Sequence, residues 1–164
     1  MGDYVRYIEK TREYYLSEGY ERPYEWAHFD EIPFTRLRKP LSQCRIGLVT
    51  TSDIAVIEAD GSKRTMEPAA GNVYSFEGDI PPERFYSRSE HYDTHATHLD
   101  DVNSYFPVSR LRELVGEGRI GSLAARFQGL YTQYSQRRTS MVDAPEVLRQ
   151  CREDGVDAVL LTPI

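Results

Sequence analysis

His91, His95 and His98 stand at i, i+4 and i+7 in the segment His91–Asn103, which also carries Asp93, Asp100, Asp101 and Asn103. On a helix that spacing puts three imidazoles on one face. With Asp93 or Asp101 supplying oxygen, the set would suit zinc or ferrous iron. No H-E-x-x-H or other metal signature accompanies it, and Thr94, Thr97 and the aspartate pair favour caps and turns over a helix interior. The second chemistry is proton transfer. A histidine beside a carboxylate holds one tautomer and moves a proton near neutral pH, and His91 with Asp93 is the natural pair. Their i, i+2 spacing gives them one face on a strand but not on a helix. The bland alternative is an Asx-rich loop whose side chains cap their own backbone. Asp101 and Asn103 fit it well, since a helix follows. For His91 both readings stay open, and for His98 the loop reading is preferred.

Nucleophilic chemistry has less to work with. Cys44 and Cys151 are far apart and in no C-x-x-C arrangement, so they announce neither a disulfide framework nor a zinc site. No G-x-S-x-G elbow is present. Gly116, Gly118 and Gly121 match G-x-G-x-x-G in spacing, yet they follow a predicted helix instead of opening one, so the match is false. Arg137-Arg138 could grip an anion, but a solvated pair is the commoner role of such a dipeptide.

The elements that would position these residues are readable in outline. Residues 3–18 carry Tyr4, Val5, Ile8, Thr11, Tyr15 and Leu16 at helical spacing and stop at Gly19. Residues 20–43, broken by Pro23, Pro33 and Pro40, read as an extended arm with Trp26, His28 and Phe29. Arg45–Thr51 is a strand buried on both faces, as in a parallel sheet, and residues 54–58 extend it or form a further strand. Residues 61–83 read as loop, anchored by Val73, Tyr74 and Phe76. Glu83–Arg88 is another short strand. Phe106-Pro107 opens a helix to about Val115, and Ile120–Phe127 reads as a strand or the start of a short helix, with strand favoured. Tyr131–Arg138 reads as exposed loop. Asp143-Ala144-Pro145-Glu146 resembles a capping box opening a helix that turns Cys151 inward and ends at Gly155. Val156–Leu161 reads as a buried strand.

Strands alternating with helices predict a single α/β domain over 1–164: a helix and aromatic arm over 1–43, then a three-layer core over 44–164 with a mainly parallel sheet of about four to five strands. In such folds ligands sit beyond the carboxyl ends of the strands. That places Thr50, Thr51, Arg88, Asn103 and Thr162 as candidate substrate-binding residues beside His91 and Asp93. The chain has 20 basic and 26 acidic residues, a net charge of −6, which argues against nucleic acid or an anionic membrane as the main partner. No 18-residue apolar run is present, and free cysteines fit a reducing cytoplasm.

His91-Tyr92-Asp93-Thr94, Ala96, Asp101, Asn103, Phe106-Pro107, Arg110-Leu111, Glu113-Leu114, Glu117-Gly118 and Ile120-Gly121 form one series of blocks, and Leu48-Val49-Thr50-Thr51 and Gly155–Pro163 form two more. In these blocks the chain resembles the glycine/sarcosine/betaine/D-proline reductase selenoprotein B family. The resemblance spans residues 45 to 164. What it implies is an oxidoreductase that reductively cleaves a carbon–nitrogen bond of a small amine or amino acid. A thiol or selenol makes the attack and a thiol donor supplies electrons. His91 and Asp93 would act on the leaving nitrogen, and Thr51 and Thr162 would line the pocket. The family's redox motif follows closely after the last matched strand, so the resemblance implies no cofactor within this chain and a selenocysteine or cysteine expected beyond Ile164. It also implies a homo-oligomer or partner subunit. Two other classes are carried beside it: a non-catalytic binding or assembly subunit using the tyrosine-rich helix, and a His-site metalloprotein.

Overall fold

In the computed structural model, residues 6–23, 25–33, 35–90, 92, 98–133 and 135–163 are described. They form two compact units, residues 1–34 and 35–164.

The first unit holds α1 (Tyr7–Ser17) and the arm after it. Its boundaries sit inside the predicted 3–18, and Gly19 beyond it takes a positive φ of 85°. No described residue of α1 is buried. Tyr15 lies against Tyr14 and Tyr20 with ring centroids 6.1 and 5.1 Å away, so the aromatic character of this unit is locally self-packed. Arm residues 25–33 carry no helix or strand, as three prolines in 24 positions predict.

The second unit is a mixed α/β body. Its main sheet is built on β1 (Arg45–Thr50), which is buried from Ile46 onward. On one side β1 pairs in parallel with β6 (Ser122–Leu123) and then β7 (Arg126–Leu130). On the other it pairs in parallel with β8 (Ala158–Thr162), in the register Ile46↔Ala158 to Thr50↔Thr162. β4 (Val73–Glu77) completes the sheet antiparallel to β7. The sheet is therefore five-stranded and mainly parallel, as predicted. A second, antiparallel sheet of β2 (Ile54–Ile57), β3 (Lys63–Thr65) and β5 (Phe85–Ser87) has the order β3-β2-β5.

One face of the main sheet carries Ile46, Leu48 and Phe127. These belong to the buried cluster with Tyr74, Phe76, Phe85, Phe106 and Leu111, the last from α2 (Val108–Gly116). The aromatic rings meet edge-on: Phe106 lies 5.1 Å from Phe85, 5.3 Å from Phe76 and 5.7 Å from Phe127. Such pairs add to simple area burial. Gly129 faces Tyr74 so closely that a Cβ there would overlap the phenol ring. The opposite face carries Gln128 and Arg126 and is covered by α4 (Ala144–Glu153). Arg126 reaches Asp154 at 2.7 Å and Glu153 at 2.8 Å, and Gln128 reaches Gln150 at 3.4 Å.

Five expectations need correction. The stretch 61–83 is not all loop, since β3 and β4 lie within it; Gly71 and Gly78 bracket β4 closely and masked a five-residue strand. The strand ending at Arg88 belongs to the small sheet, because its edge pairs with β2 (Val56↔Phe85, Ile54↔Ser87). Tyr131–Arg138 is not wholly loop: α3 (Gln136–Arg138), capped by Ser135 accepting from the Arg138 amide at 3.3 Å, runs through a π-helical turn (Thr139–Asp143) into α4. Asp143 is thus no helix cap. The wide turn carries it inward to 2% exposure, where its carboxylate accepts from Asn72 N at 2.9 Å and Asn72 Nδ2 at 3.4 Å. Finally, β8 is not a buried strand. It pairs only with β1 among the described residues, and Val159, Leu160 and Leu161 are 39%, 39% and 67% exposed.

Candidate functional site

β1, β7 and β8 run parallel, so their carboxyl ends share one edge, where α/β sheets place ligands. Thr50, at 1% exposure, donates its hydroxyl to the Tyr105 carbonyl at 2.9 Å, and Thr162 Oγ1 donates to the same oxygen at 3.0 Å. The two threonines that pair in register thus converge on one acceptor and clamp the segment entering α2. Thr51 N donates to Thr162 O at 3.2 Å, and Thr132 Oγ1 approaches Thr51 O at 3.4 Å. Three predicted pocket residues are brought together here, with the hydroxyls of Thr50 and Thr162 committed to backbone.

Beyond Thr51 the chain turns into β2 through Ser52 and Asp53, and Asp53 is not among the predicted site residues. Ser52 is buried, and its hydroxyl forms a hydrogen bond with Ser87 Oγ at 2.6 Å and lies 3.4 Å from Ser89 Oγ. Ser89 Oγ accepts from Asp53 N at 3.1 Å. Asp53 receives Arg88 twice over, with guanidinium contacts of 2.9, 3.0 and 3.2 Å, while Arg88 N donates to Asp53 O at 2.7 Å. This fork-to-carboxylate geometry is the strong, directional form of an ion pair. Side-chain exposures of 41% and 28% leave both partners open to solvent on one side.

Two tyrosines support this turn. Tyr74 donates to Ser52 O at 2.6 Å and accepts from Ile54 N at 2.9 Å; burial raises its hydroxyl pKa well beyond the ordinary value. Tyr131 stacks on Tyr74 at 4.5 Å, and its hydroxyl donates to Met66 O at 2.7 Å. Burial raises the Tyr131 pKa and the Asp53 charge adds to it, while Arg88 opposes. Tyr131 therefore belongs to the Asp53–Arg88 neighbourhood. Arg88 is one of the predicted site residues, whereas Asp53 is not, because the two stand 35 positions apart. Only the pairing of β2 with β5 brings them together.

Asn103 lies in a 3₁₀ turn (Val102–Ser104) that packs against β5. Asp101 caps this turn, accepting from Asn103 N at 2.9 Å and Asn103 Nδ2 at 3.0 Å. The predicted Asx-type capping is thus found. Asn103 Oδ1 is buried and has no hydrogen-bond partner among the described residues. Tyr105 beside it is pushed up to about 12 by burial, with the Asp101 charge adding and a bond from the Ser87 backbone opposing. His91 and Asp93 lie outside the described residues, as does His95; His98 is described and exposed. Among the described residues no group of three or more His, Cys, Asp or Glu is arranged to hold a metal ion. Cys44 and Cys151 are both buried and unpaired with each other. No helix among the described residues is long and apolar enough to cross a membrane.

Residues 9–164 match the family model described as glycine/sarcosine/betaine reductase selenoprotein B. The chain belongs to this family. Among curated proteins it is 27% identical over 150 residues to glycine reductase complex component B subunit gamma of Peptoclostridium acidaminophilum, covering 88% of this chain and 33% of that one. It is 43% identical over 63 residues to D-proline reductase subunit gamma of Acetoanaerobium sticklandii, covering 38% and 26%. It is 26% identical over 147 residues to sarcosine reductase complex component B subunit beta of Peptoclostridium acidaminophilum, covering 88% and 34%. The chain spans about a third of the length of the curated relatives it matches. No solved structure matches it.

Proposed function

We propose that this chain is the substrate-holding part of a reductase-complex subunit acting on a small amine or amino acid. The observation that carries the reading is the Asp53–Arg88 pair, set at the carboxyl-end edge of the sheet and open on one side, in a chain of this family. A zwitterionic substrate presents a carboxylate and an ammonium about as far apart as the two halves of such a pair. Arg88 would take the carboxylate and Asp53 the ammonium. The acceptor Asn103 Oδ1 offers a further site for an N–H donor. Thr50, Thr51 and Thr162 hold the floor. The nitrogen, held as an ammonium, leaves as a neutral amine when the thiol or selenol displaces it, and His91 and Asp93 serve as the acid that gives the released amine a proton. The thiol or selenol that receives the carbon comes from outside the described residues, because Cys44 and Cys151 are buried. A thiol donor returns the electrons.

Calorimetric titration with glycine, sarcosine, betaine and D-proline tests the reading. One of them gives a saturable binding heat, and Arg88→Met abolishes it with an unchanged circular-dichroism spectrum. In the assembled complex, His91→Ala lowers turnover and leaves that binding intact. If none of the four binds, the substrate-holding role is refuted. The second reading, an assembly subunit, is favoured by one feature: α1 exposes Tyr7, Ile8, Tyr14 and Leu16 and buries none of its described residues.

A further inference from the structure

The arginines of residues 35–163 divide sharply. Arg64, Arg84, Arg88, Arg110, Arg119, Arg126 and Arg149 pair with carboxylates, and Arg45 and Arg112 bond backbone carbonyls. Arg36, Arg38, Arg137, Arg138 and Arg152 have neither kind of partner among the described residues. All five line one of two surface grooves. A chain with 26 acidic residues does not lack carboxylates to engage them.

The richer groove, about 420 Å³, lies at the amino ends of β1 and β8 and gathers Arg36, Arg38 and Arg152 with Leu37. Asp157 on its wall is already held by Lys39 Nζ at 2.7 Å and Arg45 N at 2.7 Å, so that pair cancels and the three guanidiniums set the charge. Here we propose a docking site for an acidic segment of a partner polypeptide. This deepens the reading above, on which it rests, by naming where the complex meets this chain. The guanidiniums are exposed and no buried donor joins them. Exposed charges hold a single small ion poorly in salt, whereas a run of carboxylates on one backbone engages all three at once, with half-exposed Leu37 as an apolar rim. Glycine and sarcosine reductase relatives are named as complex components. The groove also lies at the opposite end of the strands from Thr50 and Thr162, roughly 17 Å away at the usual rise per residue. A docked partner therefore leaves the carboxyl-end site open.

The test is fluorescence anisotropy of a labelled hexaglutamate peptide with the full chain. We expect saturable binding at about 20 mM salt, weakened roughly fivefold or more at about 150 mM as the charges are screened. Replacing Arg36→Gln, Arg38→Gln and Arg152→Gln together weakens it about tenfold or more, a loss on the order of one decade of affinity. The control, Arg137→Gln with Arg138→Gln in the other groove, leaves it unchanged. The proposal is overturned by absent binding at low salt or by equal loss in the control. It is also overturned if pyrophosphate displaces the peptide at far lower concentration, which marks a small-anion site. None of these readouts depends on amine binding, so either proposal can fail alone.

Discussion

Replacing Tyr74→Phe keeps the ring in the aromatic core and removes one oxygen. That oxygen accepts from Ile54 N and donates to Ser52 O, both in buried surroundings. Two backbone groups are left stranded at the turn between β1 and β2. A stranded buried group costs about 1–3 kcal/mol, so the two together predict a loss of about 2–6 kcal/mol. In urea, with a slope near 2 kcal/mol per molar for a chain of this size, the midpoint falls by about 1–3 M at unchanged slope. The pH dependence gives an independent check. Burial raises the folded-state pKa of Tyr74 above its ordinary 10.0. The associated stability is fully present below pH 10 and is lost as pH climbs past it, because the unfolded tyrosine ionises while the folded one does not. The phenylalanine variant has no hydroxyl to ionise at this position, so its disadvantage narrows at alkaline pH. A midpoint shift under about 0.3 M, or a gap between the proteins that widens above pH 10, would refute the reasoning.

Two further outcomes follow from the geometry around α4. The Glu146 carboxyl is held down to about 2, mainly by its bonds to Arg149 and Gln150, against an ordinary 4.5. Its contribution is complete above pH 4.5 and is lost as pH falls toward 2. Glu146→Gln therefore shows a shallower acid-unfolding curve by circular dichroism, and an unchanged curve sinks the assignment. Cys44 and Cys151 are buried, and burial pushes the Cys151 thiol upward. Both should react with a thiol reagent at neutral pH only at the rate of unfolding, and a thiol that reacts in the folded protein contradicts this packing.

How much of this was legible in the sequence depended on whether the governing contact was local. β1 announced itself because an apolar run buried on both faces needs no partner to be recognised. The Phe106-Pro107 opening of α2 and the Asp101–Asn103 cap are short-range and were read correctly. β8 carries the same apolar signature as β1, yet periodicity reports hydrophobicity and not whether another strand lies alongside. Asp143 looked like a cap because a carboxylate three residues before a glutamate usually is one. Its real partner, Asn72, stands 71 positions earlier. The site divides in the same way. Thr50, Thr51 and Thr162 follow from strand ends, whereas the Asp53–Arg88 pair needs the small sheet, whose antiparallel register no local pattern encodes.

The outermost position of β8 also sets how the isolated chain behaves at high concentration. Ala158–Thr162 contains no charge and no proline, two of the devices that keep edge strands from recruiting other molecules. Its three aliphatic side chains offer the dry surface on which aggregation grows. Salt that screens the arginine groove also screens the repulsion between copies of a chain of net charge −6, which strengthens this second tendency. Ionic strength therefore pushes the chain's two associative surfaces in opposite directions: low salt favours specific acidic partners, and high salt favours uncontrolled sheet growth.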